Sequence, residues 1–175
     1  SGTNSPASAT INVGTHLIGK TVVVWADGAP LETSPGVRGE YVVDGSGNIT
    51  VGAAVTNWVA GLPYRMRYKS ARLAYGAEGG TAMLQKKKVD QIGVIMTDFV
   101  RAGIKYGSRF DDPAHPLYPL PIQKDGKTAP AIVLSDVAEE EPFLFPGDWN
   151  TDSRVCLEVN SPYTASFLGL TLAIT

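Results

Sequence analysis

An all-β fold is the architecture this sequence predicts, and three observations predict it. Short runs of residues alternate between apolar and polar at a period of two, the mark of a half-buried strand. The chain carries 19 glycines and 12 prolines, which punctuate those runs with turns. The runs themselves are rich in valine, isoleucine and threonine, whose branched side chains pack well on a pleated surface. With 175 residues, 43% of them apolar, the chain can bury a sizeable core and is too apolar to be disordered. We expect a small strand-and-hairpin unit followed by a β-sandwich.

The elements follow in chain order. Residues 1–15 open with "SGTNSPASAT", small and polar, and read as a flexible linker or cloning remnant, as where a domain is cut from a longer protein. Residues 16–60 form the small β unit. Lys20 to Ala26 is a β-branched strand that ends at the turn pair Asp27-Gly28, and Gly45-Ser46-Gly47 joins two further strands as a tight hairpin. Residues 61–175 form the sandwich. In residues 63–75 the apolar Tyr64, Met66 and Tyr68 alternate with Arg65, Arg67 and Lys69, which predicts one apolar and one basic face. A glycine-rich loop follows. Residues 86–100 fit both a helical stripe and a strand face; Gly93 and six β-branched residues favour the strand, with Arg101-Ala102-Gly103 as the turn beyond it. Residues 108–130 carry many prolines, which cannot donate to a ladder, and read as a surface excursion. In Arg154 to Val159 strict alternation predicts that Val155, Leu157 and Val159 face the core, while Arg154, Cys156 and Glu158 face the other way.

Composition excludes several functions. The net charge of −2 gives no general attraction to nucleic acid or to an anionic membrane. Cys156 is the only cysteine, so an intramolecular disulfide is impossible and a reducing site of synthesis is expected. Its place in an alternating run makes it a small interior or interface residue rather than a nucleophile. No apolar run is long enough to span a membrane, and no basic segment followed by an apolar core suggests a signal peptide.

No residue set reads as catalytic, cofactor-binding or metal-binding. Glu139, Glu140 and Glu141 are consecutive, so their carboxylates diverge rather than converge on a substrate. Asp111, Asp112 and His115 lack the partners and spacing of a zinc site, although loop calcium is a weaker alternative. Gly76, Gly79 and Gly80 match no phosphate-cradling pattern, and no strained-elbow serine motif occurs. Trp25, Trp58 and Trp149, with Tyr64 and Tyr68, could form a sugar-stacking platform, but aromatic residues on strands usually pack in cores; Trp149 is the one expected in solvent. Lys86, Lys87 and Lys88 read as a solvated strand edge that deters aggregation, or as a charge seam toward a neighbour or a phosphate. Leu117, Tyr118 and Leu120 offer apolar anchors on the proline-rich excursion. We take these six residues as assembly contacts.

Four motifs, in order, carry a resemblance: Gly61-Leu62-Pro63-Tyr64, the lysines Lys86 to Lys88, Gly103-Ile104-Lys105-Tyr106-Gly107, and the turn from Pro146 to Arg154 ahead of a closing apolar strand. From His16 to the end the chain resembles the β-rich domains of tailed-bacteriophage tail proteins, the tubular or nozzle type. Such proteins are usually much longer. The resemblance implies a non-enzymatic structural component of a phage or prophage tail, without cofactor. It implies assembly with other tail subunits as a homo-oligomer, passing contact with genomic DNA, no membrane, and a place in the virion after synthesis in the bacterial host cytoplasm. A carbohydrate- or receptor-binding module of a tail is the first alternative, and a cell-wall hydrolase the second.

Overall fold

The computed structural model describes residues 1–34, 36–73, 76–77, 80–81, 84–121, 123–124, 127–128, 134–135 and 141–175. Antiparallel strands dominate it, and the described residues contain no α-helix. The fold is all-β, as the sequence predicts.

The first unit contains β1 (Gly2–Asn12), β2 (Thr21–Ala26), β3 (Ala29–Pro30), β4 (Glu32–Ser34), β5 (Val37–Arg38), β6 (Tyr41–Val42) and β7 (Asn48–Gly61). The long β7 is its spine, pairing with β1 from Asn48 to Trp58 and with β2 from Trp58 to Gly61. Asp27 and Gly28 join β2 to β3 with φ of 48° and 85°, the two positive values that a tight hairpin turn of matching twist requires. The Asp27 carboxylate then accepts the backbone N–H groups of Thr56 and Asn57 on β7. In the second turn Asp44 accepts from the N–H of Ser46 and of Asn48, while Gly47 supplies φ of 80°. Ile11, Val22, Val24, Val43, Ile49, Val51 and Trp58 close a core of their own.

Residues 2–12 correct the expectation of a flexible segment: they are strand β1. Composition hides this because the stabilising partner is remote. Asn12 pairs with Asn48 and Gly2 with Trp58, so the ladder hydrogen bonds come from β7, and Ile11 alone anchors the strand in the core at full burial. Gly2 lies so close to the Trp58 ring that a Cβ there would stand 2.9 Å from its Cε2.

The second unit contains β8 (Arg65–Lys69), β9 (Gly76–Ala77), β10 (Gly80–Thr81), β11 (Val89–Thr97), β12 (Phe99–Val100), β13 (Ile104–Gly107), β14 (Tyr118–Pro119), β15 (Gln123–Lys124), β16 (Lys127–Thr128), β17 (Leu134–Ser135), β18 (Glu141–Leu144), β19 (Cys156–Asn160) and β20 (Ser166–Ile174). Two sheets make the sandwich. One runs β18-β11-β20 and the other β14-β13-β19-β8. Ile92, Val94 and Met96 of β11 meet Ile104 and Tyr106 of β13 and Leu157 and Val159 of β19 in one buried cluster. The rings of Tyr106 and Phe143 meet edge-on at 4.7 Å between the sheets, a favoured aromatic geometry. The strand reading of residues 86–100 holds for Val89–Thr97, and Arg101–Gly103 forms a single 3₁₀ turn into β13.

Two further expectations are corrected here. The basic-and-aromatic strand spans only Arg65–Lys69, and its apolar residues are more exposed than its central arginine. The proline-rich excursion joins the sheet: Tyr118 pairs with Tyr106, and the Leu120 N–H donates to the Ile104 carbonyl. Prolines confine this strand to the sheet edge without excluding it. The second face of β19 is covered as well: Cys156 is buried beside the Ser108 carbonyl, as expected of an interior residue, and Glu158 is buried where it accepts from Arg67.

The two units touch directly. The Tyr163 hydroxyl donates to Glu32 Oε1 at 2.6 Å, and Arg38 Nη1 donates to the Ser161 carbonyl at 2.9 Å.

Candidate assembly surface

Of the six residues expected at assembly contacts, the structure places some at the surface and others inside. Lys86 is exposed. Lys88 is half-buried and pairs with Asp90 at 3.0 Å. Lys87 is wholly buried, which corrects its reading as a solvated edge. Its backbone bridges to Asn150, and its ammonium lies 3.3 Å from the Gln85 carbonyl and 3.4 Å from that of Thr151. A run of three lysines alternates in direction, so the middle one turns inward when its strand is covered. Leu120 is also corrected, being a core residue of the sandwich. Leu117 is half-buried beside Gly107, and Tyr118 is exposed. Only Lys86, Lys88, Leu117 and Tyr118 therefore remain available to a partner.

A larger apolar surface lies elsewhere. Tyr64, Met66 and Tyr68 are 66%, 36% and 46% exposed, and Leu168 on β20 is 65% exposed. The register sets Tyr68 opposite Leu157 and Met66 opposite Val159, both buried. Met66 and Tyr68 thus stand on the interior face of their sheet, and the second sheet stops short of covering them. What remains is a groove of about 710 Å³, with Met66 and Tyr68 on one wall, Phe167, Leu168 and Leu170 on the other, and Leu157 between. Alternation in residues 64–68 identified the apolar face; nothing local revealed that it lacks a cover. Leu168 carried no separate signal.

The opposite face of β8 is polar and well tied. Arg67 donates from Nη1 and Nη2 to Asp111, both at 2.7 Å, and from Nε to Glu158 Oε2 at 2.8 Å. Its guanidinium also lies over the Phe110 ring, 4.7 Å from the centroid. These bonds to Asp111 and Glu158 hold the guanidinium proton more tightly than usual, and Arg67 in turn holds the Asp111 carboxyl below the ordinary carboxylate range. Arg65 reaches Glu158 only at 3.8 Å, and its side chain is 52% exposed. Sequence reading noticed the arginines but gave them no partners, because Asp111 and Glu158 lie far along the chain.

His115 sits between two carboxylates. Its Nδ1 is 3.0 Å from Asp112 Oδ2 and its Nε2 2.7 Å from Asp148 Oδ2. The bond to Asp112, then that to Asp148, raises its proton affinity above the usual histidine value. Asp111 is taken up by Arg67 instead, and no cluster of three metal-ligating side chains occurs among the described residues. Trp149 is exposed, as expected, whereas Trp58 is core. Glu139 and Glu140 lie outside the described residues.

A second concavity, about 860 Å³, lies where the two units meet and is lined by Arg38, Tyr64, Lys105, Glu158, Asn160 and Tyr163 among others. No helix among the described residues is long and apolar enough to cross a membrane. Comparison with known proteins yields no matching family model and no matching curated relative.

Proposed function

We propose that the chain is a structural component of a bacteriophage or prophage tail, acting through subunit assembly without catalysis. One observation carries the assembly part: the sandwich leaves Met66, Tyr68 and Leu168 exposed around one continuous groove. Clustered apolar side chains of this kind mark a surface that another molecule covers. The tail part rests on the ordered motifs from Gly61 to Arg154 that resemble tail proteins. On this reading the partners are other tail subunits, including further copies of the chain, and the protein resides in the virion after synthesis in the host cytoplasm. Mass spectrometry of purified tails from the encoding phage tests it, with immunogold labelling in the microscope. The chain should be present at a fixed ratio to other tail proteins and should label the tail. Its absence from purified tails would refute the proposal.

The receptor-binding alternative has one observation in its favour. The concavity between the units combines an exposed tyrosine, Tyr64, with Arg38, Lys105 and Asn160, a mixture suited to stacking on and hydrogen-bonding a sugar. Binding on a glycan array that is lost in Tyr64→Ala would favour it over pure assembly.

A further inference from the structure

The sandwich ends in two open edges on the same side. β8 pairs with β19 and β20 with β11, and among the described residues no strand pairs with the free side of either. The apolar groove runs between these edges. On the other face of β8, Arg65 and Lys69 are exposed.

We propose that an extended segment of a partner protein, alternating apolar and acidic residues, completes this groove by adding as a strand along β8. The proposal rests on the assembly reading and names the partner's chemistry. An unpaired strand edge offers a row of backbone donors and acceptors, so an added strand gains ladder hydrogen bonds regardless of its side chains. Side chains at a period of two then fall on opposite faces. One set enters the groove beside Met66 and Tyr68, and the other stands beside Arg65 and Lys69. Groove chemistry selects apolar residues for the first set, and the two cations select carboxylates for the second. The five residues of β8 span about 17 Å, which matches a short added strand.

The same charges argue against a second copy docking through its own β8. Antiparallel pairing of two identical strands would set arginine and lysine against arginine and lysine, and like charges directly opposite destabilise a pair. Arg67 is taken up by Asp111 and Glu158, whereas Arg65 reaches Glu158 only at 3.8 Å and stays half-exposed. The basic row therefore selects a different, acidic strand.

The test uses a fluorescein-labelled peptide of about seven residues, alternating leucine and glutamate, and a matched peptide with lysine in place of glutamate. Fluorescence anisotropy against the purified chain should show binding of the glutamate peptide and little of the lysine peptide. Met66→Asp places a charge in the groove and should weaken binding about tenfold or more. Lys69→Glu should weaken binding of the glutamate peptide and strengthen that of the lysine peptide; as Lys69 is exposed and Arg65 keeps its contact with Glu158, the variant should melt like the parent chain, which keeps the test interpretable if Met66→Asp misfolds. Equal binding of both peptides, or indifference to charge reversal, would overturn the proposal. So would self-association by sedimentation that Met66→Asp abolishes, since a second copy would then occupy the groove. A peptide that fails to bind overturns the strand alone, because the tail reading stands or falls separately on whether purified tails contain the chain.

Discussion

Gly103→Ala should destabilise the protein through one identifiable collision. Gly103 ends the 3₁₀ turn before β13, and a Cβ on it would fall on Tyr163 Cβ and Cγ and stand 2.6 Å from Cδ2. Ordinary carbon contacts lie at about 3.5–4.0 Å, so turn or ring must move by about 1 Å or more. Tyr163 is buried against the second core although it borders the concavity between the units, and the clash falls on its Cγ and on its Cβ, which moves only with the backbone. Overpacking of this kind costs about 1–3 kcal/mol. For a chain of this length each kcal/mol lowers the melting temperature by about 2–4 °C. Urea and thermal melts followed by circular dichroism measure both quantities. The ring also carries the hydroxyl that bonds Glu32 of the first unit, which gives a second readout. Glu32→Gln should weaken that charge-assisted bond in the parent chain and have a smaller effect once Gly103→Ala has displaced the ring. A Gly103→Ala protein within about 0.5 kcal/mol of the parent would refute the packing argument.

Leu157→Ala should cost about 2–5 kcal/mol, because Leu157 is wholly buried on a strand paired on both sides; a loss below about 1 kcal/mol in urea melts would mean the site is not packed. Glu158→Ala should cost about 1.5–3 kcal/mol by removing a charge-assisted bond to Arg67, although Asp111 still holds the guanidinium; a neutral effect would mean that this face is solvated. His115 should titrate above its ordinary value near 6.5, held protonated by Asp112 and Asp148 against the opposing charge of Arg109. Its contribution to stability is complete below the unfolded value and is lost as pH rises through the raised folded one. An NMR titration of the His115 ring gives the midpoint, which Asp148→Asn should lower; a midpoint at or below the ordinary value would contradict the geometry.

The all-β class, the hairpin turn at Asp27-Gly28 and the strand character of Val89–Thr97 were all legible in the sequence. These depend on local physics: β-branching, a period of two, and backbone dihedrals that glycine and aspartate tolerate. What each face meets was not legible. Alternation put Met66 and Tyr68 on one apolar face, but only the tertiary structure set that face beside Leu157 and decided that the second sheet covers Leu157 and leaves the edge strand bare. Glu158 and Lys87 show the converse, as polar residues that distant segments bury and satisfy. Residues 2–12 became a strand for the same reason, since their partners stand on β7 some tens of residues away. A strand's two faces are written in its own side chains, whereas the cover on each face comes from remote chain, so burial is settled only when the sheets pack.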